Sequence, residues 1–139
     1  SQDPYRRVYQ ALEENRLTHG YGSYHFQSYA AFLSKGKIKI SPQIGPAYID
    51  KIPRFSQLVD QAEQIFYILP SNFDLTYLHR YKIRYRAEKV NDWLVIWNLS
   101  KRVFPEDLLS SEVLSRSGGY QRWSYRENPA VLNPYRGGH

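Results

Sequence analysis

The segment Ile65-Phe66-Tyr67-Ile68-Leu69 is a continuous apolar run that Pro70 stops at once. It is far too short to cross a membrane, which needs about 18–20 such residues. It does not alternate with polar residues, so it has no face to give to water. A strand of this kind is buried on both sides, in the manner of a parallel strand, and the rest of the chain must supply helices to cover it.

Helical patterns stand where that requirement puts them. Asp3-Pro4 reads as an N-cap followed by proline at the first helical position. Tyr5, Val8, Tyr9 and Leu12 then recur at helical spacing and predict a helix over 4–15. Leu17 to Tyr21 predicts a short strand that runs into the turn Gly20-Tyr21-Gly22-Ser23. Ser23 is placed to cap a helix over Tyr24 to Ser34, with Phe26, Tyr29, Ala30 and Leu33 on one face and Gly36 as its stop. Lys37 to Ser41 alternates as a strand with one greasy face, and the prolines of Pro42 to Pro53 make that stretch a loop. Arg54 to Gln64 predicts a helix whose apolar side is Phe55, Leu58, Val59 and Ala62, with Asp60 and Glu63 on its polar face. A helix over Asp74 to Arg80 follows, capped by Ser71 or Asn72. Strands at Ile83 to Val90 and Trp93 to Leu99 then form a hairpin about Asn91-Asp92.

The order α-β-α-β-α-β-α-β-β predicts an α/β fold: a small, mostly parallel sheet flanked by helices, with right-handed crossovers, ending in an antiparallel β-hairpin. Residues 1–109 make the α/β domain, and the full 139 residues are enough for one core. Pro105 to Leu114 offers one more helix. Residues 110–139 form a Gly-, Pro-, Arg- and Tyr-rich C-terminal tail, expected to pack on the domain or to extend from it.

The chain lacks Met even at position 1, so Ser1-Gln2-Asp3-Pro4 reads as the boundary of an excised piece or a processed end. The absence of Cys excludes disulfides, thiolate metal sites and cysteine nucleophiles. A net charge of +6 admits nucleic acid, anionic lipid or an acidic polymer as a partner, or serves solubility alone.

Few residues point to chemistry. His19 and His25 flank a strand-to-helix turn, where open α/β sheets place ligands, but no metal-ligand spacing accompanies them, and no metal or other cofactor is expected. Gly20-Tyr21-Gly22-Ser23 resembles a shortened glycine turn ahead of a helix, whose free amides suit a phosphate, or it simply permits a tight turn. There is no GxSxG elbow for Ser23 or Ser41 and no persuasive acid/base pair, so no catalytic residue is assigned. Tyr81, Tyr85 and Trp93 lie near Arg80, Lys82, Arg84 and Arg86, a mixture able to stack bases and grip phosphates. On a strand, Tyr81, Ile83, Tyr85 and Ala87 would instead share one ordinary buried face. Tyr120, Trp123, Tyr125 and Tyr135 beside Arg122, Arg126, Asn128 and Arg136 suit sugar rings, or glue the tail to its own domain. Asn98-Leu99-Ser100 is a formal glycosylation sequon.

Residues 16–24, Arg16-Leu17-Thr18-His19-Gly20-Tyr21-Gly22-Ser23-Tyr24, lead on to Phe32-Leu33-Ser34-Lys35-Gly36 and Lys37-Ile38-Lys39-Ile40-Ser41-Pro42. This pattern resembles the soluble extracytoplasmic C-terminal domains of multi-span membrane glycosyltransferases of the polyprenyl-phosphate-sugar-dependent mannosyltransferase and aminoarabinose-transferase type. In that family a "GYADYW" turn opens a helix, "FLSGE" closes it, and a strand ends in "SP" or "AP" before a "RYPPY" segment. Ile52-Pro53-Arg54-Phe55 and Ile65 to Leu69 stand at matching places, and the likeness covers about residues 8–99. His25 departs from the pattern by replacing the aromatic after Tyr24.

The resemblance implies a domain on the extracytoplasmic side of the cell membrane, joined at its N-terminal side to the membrane-embedded part of its own parent chain. It places the catalytic carboxylates in that membrane part. The expected function is that of an accessory or binding domain that positions a sugar acceptor, glycan or polyprenyl-phosphate sugar. The expected contact residues are His19, Tyr21, Ser23, Tyr24 and His25 from one turn, and Ser41, Gln43 and Tyr48 from the next loop. Two rivals stand beside this reading. One is a basic nucleic-acid-binding domain using Arg80 to Lys89. The other is a small free-standing enzyme.

Overall fold

A computed structural model describes residues 3–44 and 52–109. Tyr48 and the C-terminal tail from residue 110 onward lie outside the described residues, as does most of the loop after Pro42. The elements are α1 (Pro4–Glu14), β1 (His19–Tyr21), α2 (Tyr24–Ser34), β2 (Lys39–Ser41), α3 (Pro53–Gln61), β3 (Phe66–Pro70), α4 (Thr76–Arg80), β4 (Arg86–Val90), β5 (Trp93–Trp97) and α5 (Pro105–Leu108).

The strands form one sheet in the order β2-β1-β3-β5-β4. β1 pairs in parallel with both β2 and β3, and the β4–β5 hairpin adds antiparallel to β3 through β5. The α/β class and the closing hairpin are therefore as expected, in a mixed sheet whose parallel half is β2-β1-β3. Two cores sit back to back. On one face Phe66 and Ile68 join Val8, Leu12, Phe26, Ala30 and Ile40 under α1 and α2. On the other, Tyr67 and Leu69 join Tyr21, Val59, Leu78 and Val103 under α3 to α5. The apolar run of β3 thus feeds both cores in turn, which explains why it has no polar position.

The connections follow from that layering. The chain passes outward from β1 to β2 by way of α2 and returns across β1 to β3 by way of α3. A reversal of direction with one crossover hand puts the two helices on opposite faces. α1 begins where Asp3 accepts a hydrogen bond from the Tyr5 amide at 3.0 Å. It ends with Arg16 in the left-handed region at φ 56°, while the Leu17 amide donates back to Leu12 at 2.9 Å. At the end of α2, Lys35 rather than Gly36 takes the first left-handed position, φ 55°, and Gly36 follows at φ 82°.

Two sequence expectations are corrected. The last edge strand begins at Arg86, not Ile83: Tyr81 to Tyr85 is the exit from α4, with Lys82 at φ 55° and the Ile83 amide bonded to Leu78 at 2.9 Å. Ala87 is accordingly exposed on an edge strand, not on a buried face shared with Tyr81. Asp60 was expected on a solvated face of α3, and it is buried at 7% exposure together with Ser56 and Gln57. Of the expected apolar side, Val59 is fully buried and Ala62 packs on the same core, while Phe55 and Leu58 are only half-buried and Ser56, Gln57 and Asp60 are turned inward.

The parallel centre depends on one close approach. A Cβ at Gly20 would overlap the ring of Phe66 on the neighbouring strand. Gly20→Ala should therefore destabilise the fold by about 1–3 kcal/mol or more through overpacking. Urea unfolding checks this, and a midpoint equal to wild type would show that the ring has room to move.

Candidate functional site

Because β1 sends its connection one way and β2 sends its own the other, the sheet has a switch point between β1 and β3. Open α/β sheets bind ligands outside the carboxyl ends of the strands at such a point. Here those ends are Tyr21-Gly22-Ser23 and Pro70-Ser71. The segment after β2 folds against the first of them. The Gly22 amide donates to the Ser41 carbonyl at 3.1 Å, and the Ile44 amide donates to the Gly22 carbonyl at 3.0 Å.

Beneath this rim lies a buried polar network. The Tyr21 hydroxyl, fully buried, donates to Asp60 Oδ1 at 2.7 Å and accepts from an Arg102 terminal nitrogen at 2.9 Å. Arg102 also donates to the carbonyls of Ala62, Val59 and Val103 at 2.9, 3.0 and 2.8 Å, and its guanidinium lies 4.0 Å from the centre of the Phe104 ring. The Tyr67 ring lies tilted against Tyr21 at 5.1 Å between centroids, and Tyr67 donates its own hydroxyl to the Val103 carbonyl at 2.8 Å. Next to it, Gln43 donates to Ser41 Oγ at 2.9 Å, and the Ser41 hydroxyl donates to Ser56 Oγ at 3.0 Å. The Gln43 side-chain oxygen and Ser23 Oγ have no hydrogen-bond partner among the described residues.

The residues named from the sequence therefore divide into three places. Tyr21, Ser41 and Gln43 are brought together, but inside, each no more than 1% exposed. Ser23, Tyr24 and His25 open α2 at the rim. Ser23 occupies the N-cap position with extended backbone, yet its hydroxyl does not cap the helix. The Tyr24 and His25 rings lie 3.9 Å apart between centroids, with His25 exposed. Tyr5 approaches His25 at 6.0 Å and joins an aromatic group with Phe26. His19 stands apart, at the opposite end of β1, where Thr18 Oγ1 meets its Nδ1 at 2.8 Å. Among the described residues no three His, Asp or Glu side chains gather as metal ligands.

Asp60 and Arg102 are the residues that sequence reasoning missed. Asp60 looked solvated because it sits beside exposed Gln61 and Glu63. The available signal was the stripe Ser56, Gln57 and Asp60, which matches a sheet face carrying the hydroxyls of Tyr21 and Ser41. Arg102 lies beyond the last strand, where no periodicity marks it.

The chain shows no significant match to any protein family, curated protein or solved structure.

Two predictions follow from these environments. Tyr21→Phe keeps the ring but strips Asp60 and Arg102 of a shared buried partner. It should lower unfolding stability by about 1–3 kcal/mol, whereas an unchanged denaturation midpoint would mean that the hydroxyl is dispensable. Burial, and then the charge of Lys39, hold the His19 pKa below its ordinary value. Between the folded and unfolded values the unfolded chain binds more protons, so stability rises with pH there. The neutral imidazole's contribution is complete above about pH 6.5 and is lost as pH falls through the folded value. His19→Gln should therefore lose less stability than wild type between neutral and acidic pH, measured by urea unfolding at each pH.

Proposed function

We propose that this chain is a ligand-binding accessory domain of a membrane glycosyltransferase-like protein, extracytoplasmic, and that it helps to position a sugar acceptor or polyprenyl-phosphate sugar. The observation that carries the binding part is the start of α2. An eleven-residue helix opens at the switch point of the sheet with no side-chain cap on its amides, beside the close, tilted rings of Tyr24 and His25. Uncapped N-terminal amides and the positive end of the helix dipole favour a phosphate. The adjoining aromatic faces suit a sugar ring, which offers C–H on its face and hydroxyls on its edge. Ser23, Tyr24 and His25 are the contact residues in this reading. Tyr21, Ser41 and Gln43 support the turn from beneath.

The resemblance over residues 8–99 supports the membrane context. Among the described residues no helix is long and apolar enough to cross a membrane, so the membrane-embedded partner in this reading is the rest of the parent chain. Catalysis belongs to that part.

Trp93 packs edge-on to Phe26 at 5.0 Å and so reports on the first turn of α2. Its fluorescence should change saturably when the domain is titrated with a short-chain polyprenyl-phosphate sugar, and the change should persist at high salt. A Tyr24→Ala, His25→Ala double variant should weaken binding at least about tenfold, the loss of one or two stacking and hydrogen-bonding contacts, with little change in melting temperature. Binding of single-stranded RNA alone, abolished by salt, would overturn this reading in favour of a nucleic-acid-binding domain.

A further inference from the structure

The opposite edge of the sheet carries a second set of groups that the β1–α2 turn does not use. A cleft of about 490 Å³ opens there between the end of α1, the starts of β1, β3 and β4, and the end of β5. Its volume lies within the range of small-molecule sites. Arg16, Arg86, Asn15, Gln64, Asn98 and His19 are among its lining residues. Glu14 is the acidic residue of its lining.

Three features bear on what this cleft could hold. First, neither guanidinium makes a hydrogen bond or ion pair with another described side chain, although Arg86 lies 5.9 Å from the centre of the Trp97 ring. Arg86 is held over an aromatic face, and both guanidiniums keep their N–H donors free of described side chains. Second, Arg16 and Asn98 both hold left-handed backbone, φ 56° and 55°. Arg16 occupies the position after the helix end where glycine is the easy residue. Lys35 and Lys82 leave α2 and α4 with the same backbone, so this is the ordinary exit from a helix, and at α1 it puts an arginine in the lining of the cleft. Third, when Thr18 donates to Nδ1 of His19, the imidazole proton sits on Nε2 and serves as a neutral donor. Two fork-shaped cations, a neutral imidazole and the side-chain amides of Gln64 and Asn98 in one lining match an oxyanion carried on a hydroxylated skeleton. Guanidinium recognises phosphate or carboxylate through paired N–H donors, and the amides pair with hydroxyls.

We propose that this cleft binds a small hydroxylated anion, a phosphorylated or carboxylated sugar, between Arg16 and Arg86. This site is separate from the α2 turn and does not rest on it.

The test titrates the 139-residue chain with glucose 6-phosphate, glucuronate, glucose and inorganic phosphate, following affinity by calorimetry and location by NMR. Saturable binding of either anionic sugar should move the His19 and Asn98 resonances and leave Tyr24 and His25 unmoved. Whichever of the two binds more tightly identifies the anion as phosphate or carboxylate. Arg86→Ala should weaken binding at least tenfold. Arg16→Gly should do the same while melting no lower than wild type, so that its loss cannot be ascribed to unfolding. The proposal is overturned if glucose binds as well as the anions, if inorganic phosphate matches both sugars, or if both variants keep wild-type affinity. Shifts confined to Tyr24 and His25 would also overturn it, while supporting the turn as the binding site.

Discussion

The hydroxyl of Tyr21 holds three parts of the chain in one place. It comes from the shortest class of strand in the sheet, donates to Asp60 on α3, and accepts from Arg102 beyond the last strand. A three-residue strand has little pairing of its own to fix it. Its position rests on the Gly20–Phe66 approach on one face and on this buried hydrogen-bonded junction on the other. Polar groups removed from water are costly unless each meets a partner. The Tyr21 junction is therefore stringent: α3 sits correctly only when rotated to bring Asp60 inward, and the segment after β5 only when Arg102 reaches across. The guanidinium donates to the Val59 and Ala62 carbonyls at the end of α3, where a helix leaves acceptors over. One side chain thus ties the carboxyl end of α3 to β1 and to the chain leaving the hairpin.

That junction also explains which parts of the fold were legible in the sequence. Signals that live in local spacing were readable. The apolar run of β3, the helical spacing of Tyr5, Val8 and Leu12, and the break at Asn91-Asp92 each depend on neighbours within a few residues, and each stands in the structure. The rotation of α3 was not readable this way. Phe55 and Leu58 make a better apolar face than Ser56 and Asp60, and local hydropathy chooses them. The choice reverses because the sheet beneath presents hydroxyls from Tyr21 and Ser41, a fact distributed over three distant segments. The edge strand shows the same limit. The alternation Tyr81-Lys82-Ile83-Arg84-Tyr85 satisfies a strand template, yet α4 needs a left-handed exit at Lys82 to bring Ile83 back onto Leu78.

The candidate site was legible only in part, for a related reason. Sequence spacing located the β1–α2 turn, because Gly22-Ser23 before a helical pattern is a local signal. It did not separate residues that line a rim from residues that support it. Tyr21 and Tyr24 are three apart, one wholly buried and the other half-buried, because the chain changes from strand to helix between them. A strand alternates its side chains across the sheet, whereas the first turn of a helix fans them outward. The boundary between the two periods decides which aromatic residue meets solvent, and that boundary falls at Gly22-Ser23.

The two ends of the sheet consequently differ in kind. At the carboxyl end of β1, the buried chain Gln43–Ser41–Ser56 and the Tyr21 junction consume polar groups in structure, and the first turn of α2 stays at the surface. At the amino end, helices α1 and α2 finish, and their exposed carbonyls set up the negative end of two dipoles. Lys39 answers one of them directly, donating to the Gly36 carbonyl at 2.8 Å. Arg16 lies just beyond the end of α1 and has no such bond. Lys35 and Lys82 hold the same left-handed backbone after α2 and α4, so the backbone of Arg16 is an ordinary helix exit, and its guanidinium, free of any hydrogen bond to a described side chain, is what distinguishes it. The side chain that stands there can present a planar fork to an anion, in a cleft that Arg86 of β4 also lines.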